Sequence, residues 1–253
     1  MHHHRPWTGQ LTITTGAAYF RGAAGDNHAH RHWVDQYVFA STAFVLSTED
    51  GQYTSKAAFI PSQQCHQLIA TEHRSLFLDP DSKLSRAIKA RIENFPSTQL
   101  TDSFARELCE LLAPLDAIES IQSRHFETIL HSLNKHFEVK SHLEQARNDA
   151  RLEQILCMIH QQDIHERRIL AQAIGLSESR FSHWFCEQTG IALRSYCKWH
   201  RLITAVEYIR RGSSIIEAAH SAGFTDQAHL NKSFIACFGI APGQLRLSSN
   251  SPS

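Results

Sequence analysis

The sequence predicts an α+β chain of two domains: a small β-barrel with covering helices, then an all-α domain of two helix-turn-helix units joined by a long helix. Three observations predict it. Short apolar runs punctuated by Gly, Pro and Asp-Gly fill residues 10 to 78, a helical period takes over at Ser82, and one helix–glycine–hydroxyl–helix pattern occurs twice after residue 167. At 253 residues the chain is long enough for each domain to bury a core.

Strand character is read at Leu11-Thr-Ile-Thr14, from Trp33 to Leu46, at Ala57-Ala-Phe-Ile60 and at Gln67-Leu-Ile-Ala70. Gly22, Gly25, Asp50-Gly51 and Pro61 separate these runs, and Asp50-Gly51 between apolar segments signals a hairpin turn. Strands this short at this spacing suit a barrel or sandwich. From Ser82 to about His142, Leu84, Ile88 and Ile92 share a face, as do Phe104, Leu108, Leu111 and Leu112. Ile118, Ile121, His125, Ile129 and Leu133 continue the period, with breaks at Pro96 and Pro114. These helices are expected to cover the barrel and, from their surplus of apolar surface, to pair with their copy in a homodimer.

The expected division is a barrel over residues 1–80, a helical segment over 81–142, a linker over 143–148, a domain over 149–247 and a disordered tail over 248–253. The first unit in the last domain runs from Arg168 to Phe185, the second from Ser214 to Phe234. In each, a helix stops at a glycine, Gly175 or Gly223, able to take the left-handed angle there. A hydroxyl residue, Ser177 or Thr225, is placed to cap the next helix. A long helix from about Leu193 to Arg211 should join the units, with Gly212 ending it and Ser213 or Ser214 capping the next. Such a unit projects its second helix into the major groove of DNA.

Leu170-Ala171, Gly175-Leu-Ser177, Phe185 and Gln188-Thr-Gly190 resemble the AraC/XylS family of transcription regulators. So do Ala218-Ala219, Gly223-Phe224, Asp226-Gln227, Phe234, Phe238-Gly239 and Pro242, with Leu245-Arg246 standing where that family has an aromatic before the arginine. The resemblance spans about Asp149 to Arg246 and implies sequence-specific binding of double-stranded DNA, contact with RNA polymerase in an activator, and a small-molecule effector held by the amino-terminal domain. It implies no cofactor and no enzymatic activity.

Phe181, Trp184 and Phe185 fall at core spacing in the first recognition helix, leaving Ser179, Arg180, Ser182 and His183 for DNA bases. Arg180 reads equally as a surface arginine paired with Glu178 or Glu187. In the second, Leu230, Phe234 and Phe238 form the buried stripe and Gln227, Ala228, His229, Asn231 and Lys232 lie on the other face. The resemblance carries base contact onto Gln227, His229, Asn231 and Lys232. Arg194, Lys198, Arg201 and Arg246 suit phosphate contact, which sets register without reading sequence.

In the first domain, Gly22, His28-Ala-His30 and Pro61-Ser-Gln-Gln-Cys-His66 resemble the two motifs of a cupin barrel. Gln63 stands where that turn has glycine, and Asp35 where a metal-binding cupin has glutamate. His28, His30 and His66 are expected to line one effector pocket. Together with Asp35 they form the candidate donor set should zinc, iron or nickel bind there; a polar pocket without metal is the other reading. A metal-dependent cupin enzyme with a helical appendage is the alternative function.

Formal net charge is zero, but from Asp149 onward 11 Lys and Arg stand against 9 Asp and Glu, a balance of +2. Six of the 18 histidines lie in that part, so it should become more cationic as pH falls. Cysteines at 65, 109, 157, 186, 197 and 237 form no CxxC pair, which fits reduced thiols in a cytoplasmic protein. No apolar run approaches the roughly 20 residues that span a bilayer and no signal peptide is visible, so a membrane partner is not expected.

Overall fold

The computed structural model describes residues 7–23, 29–92, 100–119, 121–137, 150–161, 163–239 and 241–247. Seven strands form one sheet: β1 Trp7–Thr14, β2 Ala17–Ala23, β3 Asp35–Thr48, β4 Gly51–Ile60, β5 His66–Ile69, β6 Glu72–Leu78 and β7 Leu245–Leu247. Their order is β4-β3-β6-β2-β1-β7, with β5 also paired to β3. Every ladder is antiparallel except that of β7, which runs parallel to β1. The β3–β4 hairpin closes at Thr48 opposite Gly51, one residue earlier than Asp50-Gly51 suggested. The register shifts between Phe39 and Phe44, which bends β3 so that β6 pairs with its start and β5 with its end.

Successive residues of a strand face opposite ways, and here both faces are buried. Ala17, Tyr19, Leu76 and Leu78 belong to the core under α1 (Lys83–Ile92), α2 (Asp102–Leu112) and α3 (Ser123–His136). Those helices contribute Leu84, Ile88 and Ile92, then Phe104, Leu108 and Leu112, then Phe126, Ile129 and Leu133. Thr101 caps α2 by accepting from the Phe104 N–H. Ile118 and Ile121 precede α3 rather than continuing one helix, because the turn at Ala113–Leu115 carries Pro114. Arg21 reaches across from β2 and donates to the carbonyls of Leu115, Asp116 and Ile118 at 3.0, 2.9 and 2.8 Å, holding that turn to the sheet. The break expected at Pro96 lies outside the described residues.

The other face covers the carboxy-terminal helices. These are α4 (Ala150–Gln161), α5 (Arg167–Ala173), α6 (Glu178–Thr189), α7 (Leu193–Arg210), α8 (Ile215–Ser221) and α9 (Gln227–Phe238). Leu11, Ile13, Ala18, Phe20 and Phe77 share one apolar cluster with Phe185, Trp199, Phe234 and Phe238. Polar contacts fix the junction: Trp199 Nε1 donates to Asp79 at 3.1 Å, Trp33 N–H to the Ala236 carbonyl at 2.7 Å, and Arg210 to the Leu11 carbonyl at 2.6 Å. Separate cores were expected for the sheet and the carboxy-terminal helices; they share one. The boundary at 143–148 and the tail at 248–253 lie outside the described residues.

None of the large hydrophobic side chains exposed in the described residues, Ile69, Tyr208, Ile216 and Ile235, lies in α1–α3. Among the described residues, the apolar faces from which a dimer was expected are spent within the chain.

Phe77 is 2% exposed and meets Phe238 edge to face at 5.5 Å. Phe77→Ala is expected to cost about 3–5 kcal/mol of stability. Urea unfolding should show it, and hydrogen exchange should show α7 and α9 loosening along with the sheet; a loss confined to the strands would mean the shared core is not cooperative.

Candidate functional site

The two helix-turn-helix units are built alike. In the first, α5 ends before Gly175 (φ 68°), and Ser177 caps α6 by accepting from the Arg180 N–H. In the second, Ser214 and Glu217 form a reciprocal capping box at the start of α8, which ends before Gly223 (φ 73°). Hydrogen bonding with Ser214 holds the Glu217 carboxyl below its usual pKa. Both turns need the left-handed angle that glycine takes without strain. Here the structure corrects the sequence reading: Asp226, not Thr225, caps α9, accepting from the His229 N–H at 2.7 Å. Thr225 instead lies 3.3 Å from His229 Nδ1 through its hydroxyl. The connecting helix α7 has 18 residues, a span of about 27 Å at 1.5 Å per residue.

Phe181 and Phe185 face the core from α6, while Ser179, Arg180 and His183 are exposed and Ser182 is half-buried. Glu178 pairs with Arg167 at 2.8 Å, so one of the two partners foreseen for Arg180 is taken by a residue the sequence reading passed over. From α9, Ala228, His229 and Lys232 are exposed. Gln227 and Asn231, expected on the open face, are half-buried, and Asn231 Oδ1 is buried with no hydrogen-bond partner. They lie beside the Leu230–Phe234 stripe, and that proximity covers them.

A cleft of about 790 Å³ opens between the units. Ser182 of α6, Arg194, Lys198 and Arg201 of α7, and His229 and Lys232 of α9 line it together with Arg167. Among the described residues no carboxylate lines it, although His165 and Arg167 of its wall pair with Asp163 (2.6 Å) and Glu178 (2.8 Å). Lys198 Nζ sits 4.9 Å above the Trp33 ring, so an indole of the sheet domain forms part of the wall. The fold therefore gathers three of the four predicted phosphate-contact residues beside both recognition helices. The fourth, Arg246, is placed in β7, opposite Thr8 of β1.

In the sheet domain His28 lies outside the described residues. His30 and His66 do converge, through mutual backbone hydrogen bonds of 2.9 Å and ring centroids 4.4 Å apart. The third imidazole is His32, its centroid 4.7 Å from that of His66. Alternation along His28-x-His30-x-His32 was the signal for it. Asp35 does not join them: its carboxylate accepts from Ser85 (2.6 Å) and Ser62 N–H (2.9 Å) and pairs with Lys89 (2.9 Å). Gln63 keeps the positive φ (68°) for which the motif has glycine, so the turn that returns His66 survives the substitution. Burial pushes His32 down to about 4 and His66 to about 3, so both rings are neutral at pH 7.

Residues 170–248 match the family model described as a helix-turn-helix domain. No curated protein matches the chain. Among solved structures, ToxT from Vibrio cholerae O395 is similar at 13% identity over 90% of this chain and 95% of that one, with a TM-score of 0.43. A cupin domain from Bordetella pertussis aligns with 31% of this chain and 97% of its own at 19% identity and a TM-score of 0.26. KdgF from Halomonas sp. aligns with 27% and 74% at 20% identity and 0.23. Scores this low leave the fold to stand on the elements described above. By motif, turn geometry and family match, the carboxy-terminal part is a helix-turn-helix domain. Within it, Gly223-Phe224 and Phe238-Gly239 are the residues that resemble the AraC type.

Asp226→Ala is expected to cost about 0.5–2 kcal/mol, whereas Thr225→Ala should cost less. Thermal unfolding of the two variants side by side decides which residue is the cap.

The expected gain of positive charge at mildly acid pH is blunted. His160 and His200 stack at 4.2 Å, and burial lowers both, His200 to about 4; burial likewise holds His73 at about 4. A folded-state pKa below the ordinary value of about 6.5 means that folding favours the neutral ring. The corresponding stability is complete above about 6.5 and is lost as pH falls toward 4. Urea midpoints measured from pH 7 to pH 4 should fall through that window, and His73→Phe should flatten the decline; a midpoint constant across it would contradict the burial of these rings.

Proposed function

We propose that this chain is a sequence-specific DNA-binding transcription regulator. Residues 149–247 bind double-stranded DNA, and the sheet domain senses a small-molecule effector. The observation that carries the reading is the cationic cleft bounded by both recognition helices and α7, in which Arg194, Lys198 and Arg201 stand beside Lys232 and His229. Phosphate contacts supply sequence-independent affinity, and side chains at base edges supply discrimination. Arg194, Lys198, Arg201 and Arg246 take the first role. Ser179, Arg180, Ser182 and His183 with Gln227, Ala228, His229, Asn231 and Lys232 take the second. Asn231 must turn its buried amide outward to read a base.

The effector would lie near His30 and His66, with His28 completing the pocket wall. RNA polymerase is a partner if the protein activates. The homodimer belongs to the same proposal, with an interface outside the apolar faces that α1–α3 spend on the sheet. Sedimentation at tens of micromolar that finds only monomer, with and without DNA, would remove it.

Selection of duplexes from a random pool by the full-length protein, followed by footprinting, tests the main reading. Lys198→Ala and Arg201→Ala should weaken binding to all duplexes alike and reduce the salt slope by about 1. Gln227→Ala should instead relax preference at one or two base positions, at a cost of about 1–3 kcal/mol on the preferred site. Failure to enrich any sequence at low salt would sink the proposal.

A further inference from the structure

Among the described residues, one group of side chains has the composition and spacing of a cation site: His30, His32 and His66, whose ligand atoms all lie within 4.8 Å of one another. Their hydrogen bonds prepare them for that role. His66 Nδ1 lies 3.0 Å from the Gln64 carbonyl and His32 Nδ1 2.9 Å from the Val34 carbonyl. A carbonyl only accepts, so both Nδ1 atoms carry the proton and both Nε2 atoms present a lone pair. Metal-binding imidazoles are oriented by such a backbone bond from the other ring nitrogen. His32 Nε2 then faces Gln36 Oε1 at 2.8 Å, while the Gln36 amide nitrogen donates to Ser75 Oγ at 2.9 Å. Two acceptors that close repel unless a cation lies against both or the amide is reversed.

The cluster also touches the DNA-binding domain. A methyl group placed on Gly239, the residue that ends the second recognition helix, would meet His30 Nε2 at 2.0 Å. The imidazole therefore lies directly against that backbone. Three residues along, the Trp33 N–H holds the Ala236 carbonyl of the same helix. An ion bound by this ring therefore fixes a side chain that itself packs on α9.

We propose that His30, His32 and His66, with the Gln36 amide oxygen as fourth donor, hold one divalent cation of the zinc class, and that this ion sets how α9 is seated on the sheet domain. Neutral imidazoles suit zinc, nickel or iron and not the all-oxygen shells of calcium or magnesium. The second half rests on the sensor reading given above and names the class of its effector.

The test uses the full-length protein, purified without a nickel column and stripped with chelator. Titration with zinc chloride by calorimetry, and with cobalt(II) read by visible absorption, should give one ion per chain. His66→Ala and His32→Gln should each abolish it, circular dichroism confirming that they fold. Gln36→Glu, which replaces the amide oxygen by a carboxylate, should tighten it. Seating is read separately: Trp33 and Trp199 meet at 5.2 Å beside α9, so their fluorescence should shift on ion addition, and Trp33→Phe should remove the shift. Affinity for a selected duplex should move by about fivefold or more. No ion bound, a full ion retained in His66→Ala, or Gln36→Glu weakening the ion would overturn the site and leave the DNA-binding reading intact. An ion bound with fluorescence and DNA affinity unmoved would overturn the seating.

Discussion

Ala18 and Phe20 point one way from β2 and Ala17 and Tyr19 the other, and neither pair meets water. A sheet face with one helical layer can leave its opposite side solvated; this one cannot, because its second face is as apolar as its first. The helices that bear the DNA-binding motif therefore complete a core begun by the strands. Asp79 illustrates what that does to a polar group. It accepts from the Trp199 indole across the junction and from the Asp81 N–H on its own side, and burial raises its pKa. Removing the carboxy-terminal helices would expose Phe77 and leave Asp79 without its indole donor.

Two local periods made most of the elements legible. Leu84, Ile88 and Ile92, and Leu230, Phe234 and Phe238, lie where a period of 3.6 residues puts them. What periodicity does not encode is which second surface an apolar strand face meets. Leu11 and Ile13 were legible as a strand, yet nothing in Leu11-Thr-Ile-Thr14 says that Arg210, some 200 positions later, donates to the Leu11 carbonyl. Strand β7 is three residues long and owes its pairing to β1 alone, so no window of sequence could announce it. The caps were harder for another reason. Thr225 and Asp226 are both capping types one residue apart, and the choice turns on which oxygen reaches the His229 N–H.

The site was legible in composition and less so in exposure. Ser179, Arg180, His183, His229 and Lys232 lie open as the helical wheel requires. Gln227 and Asn231 are half-covered because a wheel divides a helix into two faces and ignores the flank, where residues next to the buried stripe sit. Arg167 was passed over because it precedes the motif; its place in the cleft follows from how α5 packs on α6. In the sheet domain, Asp35 was a candidate donor because it stands where the cupin motif has glutamate, but strand alternation turns it from the imidazoles toward Ser85 and Lys89.

One short segment carries the connection between the halves. His32 is buried beside His66 and bound to Gln36, while Trp33 meets Trp199 and Val34 enters the cluster shared with α7 and α9. Neighbouring side chains of this segment thus belong to different layers. A side chain that moves in the histidine cluster shifts a backbone whose next residue is hydrogen-bonded to the second recognition helix. Packed interiors transmit such displacements because they contain little free volume to absorb them. Two direct contacts join this segment to α9, His30 to Gly239 and Trp33 to Ala236. The first recognition helix has a different link to the sheet domain, through Phe185 against Tyr196 of α7. The segment that carries the cluster thus touches the second recognition helix directly, whereas the first meets the sheet through the shared apolar cluster and packs on the connecting helix.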